Sequence, residues 1–439
     1  MEDNTFRLPL YLPAQGASEL EATIIEWYVA EGDCLRKGQA LAQIDSAKSV
    51  FDFESPCDGK VIRRLHLDGE TVQITEPIVE IETDDQAMKS WIPPAVVHQR
   101  LESHVQSASV PQRCADSQRG VVILGVGAYL PERVVTNAEL VQNFPEISEE
   151  YVYQVTGIKE RRWADEHEKP STMALKASLE AIKNASIALK DIDAIILATT
   201  TPDAAMPSTA SILQDRLSLP TIPAFDLNAA CSGWLYAVSM AQGMILSGLA
   251  RNVLTVGVDM QSRLLDPADR SAYFIFGDGA GAAVVSASET GHRILQVYLG
   301  ADTTGLRFAR REQPGYAVSN GKPEFDPWIR LEGQPLFRLA TEGFSNVIRN
   351  ALAKTGWTAE ETRWIIPHQA NGRIIKAAAK RGGLPFDRFY LNVEQLGNTS
   401  SASIPLALVE MESKLKQGDK LILCSVGAGL TTAAVSVEW

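Results

Sequence analysis

Apolar positions change their rhythm twice along the chain. Over residues 1–85 they fall in short, partly alternating runs such as LAQI (41–44) and VFDFE (50–54), set between acidic-glycine turns. That alternation predicts short half-buried strands in a small all-β unit. The unit repeats itself: Gly32, Leu35, Leu41 and Ile44 recur as Gly69, Val72, Ile78 and Ile81, each 37 positions later. A pseudo-twofold follows. Residues 86–119 hold no sustained period and contain Pro93-Pro94, Pro111 and several serines, the composition of a linker. As a coil such a segment spans roughly 30 Å, with a stretched limit near 110 Å. From Val121 onward, continuous apolar runs alternate with helical stretches: VVILGVG (121–127), AIILATT (194–200), NVLTVGV (252–258) and KLILCSV (420–426). This predicts α/β layers around buried strands. The region reads as duplicated, in halves 120–290 and 291–439. TASI (209–212) recurs as SASI (401–404), and GAGAAVV (279–285) as GAGLTTAAV (427–435).

Composition narrows the function classes. The 439 residues carry a net charge of −13, and residues 1–85 hold 18 acidic against 7 basic side chains. The acidity therefore belongs to the front unit, and nucleic acid is not an expected partner. No apolar run reaches membrane-spanning length. Five scattered cysteines without CxxC spacing point to a reduced, cytoplasmic protein with neither a disulfide framework nor a metal site.

Three segments carry chemistry. Cys231 lies in FDLNAACSGWLYAVSMAQGMILSG (225–248), a short strand followed by a stretch that is apolar nearly all round, hence a buried helix. A cysteine at that helix's N-terminus is expected to favour thiolate and act as a nucleophile. A lone cysteine there reads more readily as small core packing, so the partners decide. His368 follows an apolar strand in WIIPHQANGR (364–373), and Asn398 sits in the small polar turn LGNTSSASIP (396–405). In the front unit, Lys48 falls in the turn between two strands, in DSAKSV (45–50).

Residues 120–439 resemble 3-oxoacyl-ACP synthase III, on AACSG, PHQAN, GNTSSAS, IFGDGAGAAV (275–284), the DPADR loop (266–270) and SVGAGLTTAAVSV. The resemblance implies a duplicated α/β thiolase fold, a dimer, and a Cys231–His368–Asn398 site joining an acyl thioester to malonyl-ACP with loss of CO2. It also implies an oxyanion hole from the backbone of Cys231 and Ala428. Arg373, Lys380 and Arg381 become a docking face for an acidic carrier protein. The first 85 residues resemble a lipoyl domain of 2-oxoacid dehydrogenase complexes, nearest the branched-chain type, through EGD, DSAKSVFDFESPCDGKVIRRL (45–65) and the lysine turn. This implies lipoate on Lys48 and a 2-oxoacid dehydrogenase E1 component as a partner. The lysine's neighbours are Ala47 and Ser49, where lipoyl domains have Asp-Lys-Ala and biotin carriers have Met on both sides.

Two departures bear on the acyl donor. The family's adenine clamp for CoA pairs a Trp with an Arg; the matching positions here are Tyr151 and Val155, before Thr156-Gly157-Ile158. One cationic face is missing, although Arg270 of DPADR is kept. Met206 stands where many members have the Phe that closes the partner subunit's acyl pocket, and its compliance suits a medium or branched acyl group. The sequence-level reading is therefore a decarboxylative condensing enzyme, loaded from acyl-dihydrolipoyl-Lys48 or acyl-CoA, in fatty acid or polyketide starter synthesis. The alternatives are acyl transfer without decarboxylation, or a non-catalytic scaffold recruiting a dehydrogenase complex.

Overall fold

The computed structural model describes residues 5–12, 21–46, 50–73, 76–90, 120–312, 318–319, 322–323 and 326–439. The chain divides into two compact units, Met1–Gln112 and Arg113–Trp439.

The front unit is built from two four-stranded sheets. One orders its strands Phe6–Tyr11, Pro77–Thr83, Gly59–Arg64, Cys34–Leu35; the other Val50–Glu54, Ala40–Ser46, Glu21–Trp27, Thr71–Gln73. The 37-residue repeat is its symmetry. Gly32 and Gly69 both turn with positive φ (96° and 81°). The Gly32 N–H donates to Val61 O and the Gly69 N–H to Ile24 O, while Val61 and Ile24 donate back to Asp33 and Glu70. Leu35, Leu41, Ile44, Val72, Ile78 and Ile81 are all buried in one core. The strands on either side of the Lys48 turn pair as far as Asp45 and Val50. Lys48 itself lies outside the described residues, as does most of the expected linker.

The second unit is organised on a nine-stranded sheet. Its order is Ala224–Leu227, Ala194–Ala198, Asn252–Met260, Asp278–Ser288, Gly120–Tyr129, His292–Ala301, Thr431–Glu438, Lys420–Gly427, Trp364–Pro367. The two halves meet where Gly120–Tyr129 pairs antiparallel with His292–Ala301. Each half then runs outward through two antiparallel pairings to a parallel one, Asn252–Met260 beside Ala194–Ala198 and Lys420–Gly427 beside Trp364–Pro367. Residues Asn252–Met260 are buried throughout, as expected for strands covered on both faces.

The topology keeps one of the two sequence pairings and corrects the other. GAGAAVV and GAGLTTAAV do form equivalent strands. TASI opens Thr209–Arg216, the helix between strands Ala194–Ala198 and Ala224–Leu227, whereas SASI leads into Ser403–Met411, which precedes Lys420–Gly427. The helix equivalent to Ser403–Met411 is Gly233–Leu246, the one that follows Cys231. Shared Ser/Thr-Ala-Ser-Ile chemistry at two helix starts produced a false register.

Candidate active site

Three loops deliver the candidate residues to one cavity of about 1690 Å3, lined by Cys231, His368, Asn398 and Ala428 together with Tyr151, Val155, Arg270 and Arg373. Cys231 comes off strand Ala224–Leu227. Ala230, just before it, is held at φ 47°, an uncommon conformation for a residue with a Cβ. The chain then tightens through Ala230–Ser232 into the helix Gly233–Leu246. Ser232 fixes this corner by donating to Ser425 Oγ and Thr431 O, both at 3.1 Å. Opposite stands Gly427, where a Cβ would lie 2.9 Å from the Cys231 backbone nitrogen. Glycine is what lets the Gly427–Ala428 turn come this close.

The sulfur is enclosed enough that burial pushes the thiol up to about 12. Ser400 and the backbone N–H groups of Cys231 and Ala428 oppose this, and the buried Asp259 carboxylate adds to it. The Ser400 hydroxyl lies 3.7 Å from Sγ. The expectation of a resting thiolate is thus reversed: the helix start is present, but desolvation of the charged form outweighs it.

His368 follows strand Trp364–Pro367, and its backbone N–H donates to Cys424 O at 2.7 Å. The ring is buried, and burial pulls its pKa down to about 3, so it is neutral at ordinary pH. Nδ1 sits 2.6 Å from Ser403 Oγ, which leaves Nε2 for the cavity. Gln369 braces the turn, taking N–H bonds from Asn392 and Val393 on its oxygen and donating to Pro367 O and Tyr390 O.

Asn398 is held by its own backbone, donating to Ile275 O and accepting from Gly277 N–H. This loop-on-loop packing depends on two glycines. A Cβ at Gly277 would meet Leu396 O at 2.3 Å, and Gly397 turns at φ 64°. The Asn398 side-chain oxygen accepts the Ser400 N–H at 2.9 Å, so the amide nitrogen remains the donor facing the cavity.

The mouth residues differ in placement. Tyr151 is 52% exposed on helix Glu149–Thr156, Val155 lines the wall, and Arg270 opens a short helix capped by Asp269. The DPADR loop is clamped by Arg330, which reaches Asp266, Asp269 and Asp326. Arg373 begins helix Gly372–Gly382 and lines the cavity; Lys380, with Phe337 and Phe386, lines a neighbouring shallow groove, and Arg381 pairs with Glu342 at 3.5 Å. Met206 is 84% exposed and lies outside this chain's own cavity lining. Among the described residues no His, Cys, Asp and Glu cluster could hold a metal ion, and no helix is long and apolar enough to cross a membrane.

Sequence reasoning missed Asp259, Ser400, Ser403 and Arg311. The first had a signal: an aspartate ending the apolar strand NVLTVGVDM is buried unless the strand stops early. It is fully buried and takes donors from Thr199, Thr200, Thr201 and Ser401.

Comparison with known proteins agrees with this geometry. Residues 225–303 match the family described as 3-Oxoacyl-[acyl-carrier-protein (ACP)] synthase III, and residues 352–439 match its C-terminal part. Residues 9–81 match the biotin/lipoyl family described as Biotin-requiring enzyme. The chain is 42% identical to the beta-ketoacyl-[acyl-carrier-protein] synthase III of Staphylococcus saprophyticus, over 73% of this chain and 99% of that protein. Crystal structures of 3-oxoacyl-[acyl-carrier-protein] synthase III from Aquifex aeolicus (40% identity, 73% of this chain and 100% of that one) and Thermus thermophilus (41%, 72% and 99%) each superpose with a TM-score of 0.67.

Proposed function

We propose a reaction and an acyl donor for this chain, which belongs to the beta-ketoacyl-[acyl-carrier-protein] synthase III family of thiolase-fold condensing enzymes. Cys231 first takes an acyl group from a thioester: its sulfur forms the new C–S bond, the donor's C–S bond breaks, and the cysteine proton leaves on the donor thiol. Malonyl-ACP then loses CO2, and the resulting carbanion attacks the acyl-cysteine. A C–C bond forms, the Cys231 C–S bond breaks, and the thiolate takes up one proton.

The observation that supports this is a matched pair of neutral donors. His368 is kept uncharged by burial, and Asn398 has its oxygen already occupied. Both can donate N–H to the malonyl thioester carbonyl and hold the enolate as CO2 departs, without a strong base. The N–H groups of Cys231 and Ala428, which pull the thiol's pKa down against burial in the resting site, would take the oxyanion of the acyl-cysteine addition step. Each such donor is worth about 3 kcal/mol of barrier.

For the donor, we propose S-acyl-dihydrolipoyl-Lys48, charged by a 2-oxoacid dehydrogenase E1 component. Val155 beside the exposed Tyr151 supports it, because the clamp expected to hold CoA lacks its cation. A branched acyl group such as isovaleryl follows from the carrier's resemblance and from Met206, acting across a homodimer. Arg373, Lys380 and Arg381 are assigned to carrier docking, in the cytoplasm. Replacing Lys48 with Arg should abolish loading of Cys231 by E1 plus 2-oxoacid while sparing loading from acyl-CoA. Unchanged E1-dependent loading would sink the lipoyl donor, and condensation without CO2 release would sink the decarboxylative step.

A further inference from the structure

The cavity around Cys231 has a charge pattern that an aliphatic acyl chain does not need. Among its described lining residues there are five arginines and no carboxylate. Three of them, Arg270, Arg338 and Arg373, lie on helices at the outer wall. Arg310 and Arg311 enter from a different place, the two-stranded ribbon that pairs Ala309–Arg310 with Arg330–Leu331.

Arg311 is the more enclosed of the two, being half-buried. Among the described residues its hydrogen-bond partner is a backbone carbonyl, Thr200 O at 2.9 Å. Among the described residues no carboxylate forms an ion pair with it. The nearest acid in influence is Asp259, but both of that carboxylate's oxygens are already taken by six donors from Thr199, Thr200, Thr201 and Ser401. Among the described residues the half-buried guanidinium therefore lines the cavity with one N–H engaged by protein and the others free to take a ligand.

The position of Thr200 places this cation relative to the nucleophile. Strands Ala194–Ala198 and Ala224–Leu227 are parallel neighbours, with Ala198 opposite Leu227. Thr200 lies two residues past the end of the first, Cys231 four past the end of the second. Adjacent strands are separated by roughly 4.8 Å, so the two residues leave the sheet at the same ends of neighbouring strands, and both line the cavity. Thr200 and Gln261, bonded to each other at 2.8 Å, line the same cavity as Arg311 and Cys231.

We propose that Arg311 selects the acyl group: the site takes a short acyl thioester whose far end is a carboxylate, of the succinyl or glutaryl class. A planar carboxylate matches the two-pronged donor face of a guanidinium better than any neutral group. Loading follows the acyl transfer given above, with Cys231 Sγ forming the new thioester and the donor thiol departing with the proton. This rests on the acyl transfer and keeps the lipoyl donor proposed above but replaces the branched acyl group given there: a lipoyl group charged from a 2-oxodicarboxylic acid carries this kind of acyl group, one charged from a branched 2-oxoacid does not.

The test is loading of Cys231 in the full-length protein by pantetheine thioesters, followed by intact mass, so that neither the lipoyl arm nor malonyl-ACP is required. Succinyl, its methyl ester and isovaleryl are compared. The wild type should load succinyl at least about tenfold faster than the methyl ester. Arg311→Leu should cut succinyl loading about 100-fold while the methyl ester stays within about threefold, and Arg311→Lys should retain part of the preference. Comparing two substrates on one preparation removes any folding defect. Equal loading of succinyl and its methyl ester by the wild type overturns the proposal. So does an equal loss of both in Arg311→Leu, or a defect confined to malonyl-ACP in condensation, which would assign the guanidinium to the malonyl carboxylate. A failed Lys48 experiment with succinyl preference intact would remove the lipoyl donor and leave Arg311 standing.

Discussion

At the scale of single residues, the site is a set of groups kept neutral by burial. Cys231 is the case where sequence logic and environment disagree. A helix start and two backbone N–H groups favour thiolate, yet desolvation wins and lifts the thiol to about 12. The resting enzyme should then be slow to react with iodoacetamide at pH 7. Modification of the Cys231 peptide, followed by mass spectrometry, should still be climbing at pH 10; a plateau near pH 7 would show that the helix prevails. His368 poses a tautomer question. For Nε2 to donate, Nδ1 must accept, and the group in place to donate is the Ser403 hydroxyl at 2.6 Å. Ser403→Ala should therefore lower condensation kcat about 10- to 100-fold, the usual effect of removing the partner that orients a functional histidine. Acylation of Cys231 should be nearly unaffected, and Ser403→Thr should restore condensation. If acylation and condensation fall together, Ser403 is a packing residue and the tautomer argument fails.

At the scale of elements, what the sequence made legible was whatever repeats or alternates. The 37-residue offset in the front unit became a real pseudo-twofold because each copy needs the same positive-φ glycine and the same buried aliphatic positions. Strands such as Asn252–Met260 were plain because a buried strand needs apolar residues on both faces. The pairing of TASI with SASI failed because a helix start selects small hydroxyl residues wherever it occurs, so local chemistry imitated homology between the halves. Arg311 left no trace in the sequence: its role depends on which distant carbonyl it meets, and no period encodes that. The glycines of IFGDGAG and LGNTS were visible as motifs, but their reason is contact across 120 residues of chain. Gly277→Ala would drive a Cβ to within 2.3 Å of Leu396 O. We expect it to destabilise the large unit by about 2–3 kcal/mol in urea melts, in the range seen for forced overpacking. Condensation should fall further than stability alone explains, because the shifted loop carries Asn398. Wild-type melting with normal turnover would show that the loops can part freely.

At the scale of the whole molecule, buried and half-buried titratable groups link the fold to pH, and they do not all push the same way. His292 is stacked on Trp439 at 3.5 Å between ring centroids, and burial lowers its pKa to about 4; His368 is lowered to about 3. A histidine near 6.5 in the unfolded chain binds a proton there that the native state refuses. Stability from both is complete above about pH 6.5 and is lost as pH falls toward 4. Asp278 works in the opposite sense. Burial raises it to about 6, against the pull of Ser262 and Ala164, so the native state holds a proton that the unfolded chain releases above about pH 4. Its contribution declines as pH rises through that window. Near pH 5 the two histidines oppose the Asp278 carboxyl and outnumber it, so across this set stability increases toward neutrality. Calorimetry of the large unit's transition between pH 4.5 and 6.5 should show this rise. His292→Phe keeps an aromatic ring against Trp439 and removes one of the two histidine contributions, so it should make the acid limb shallower. An acid limb as steep as the wild type's would mean that His292 titrates normally in the folded protein, and that the stacked pair does not exclude water as its geometry implies.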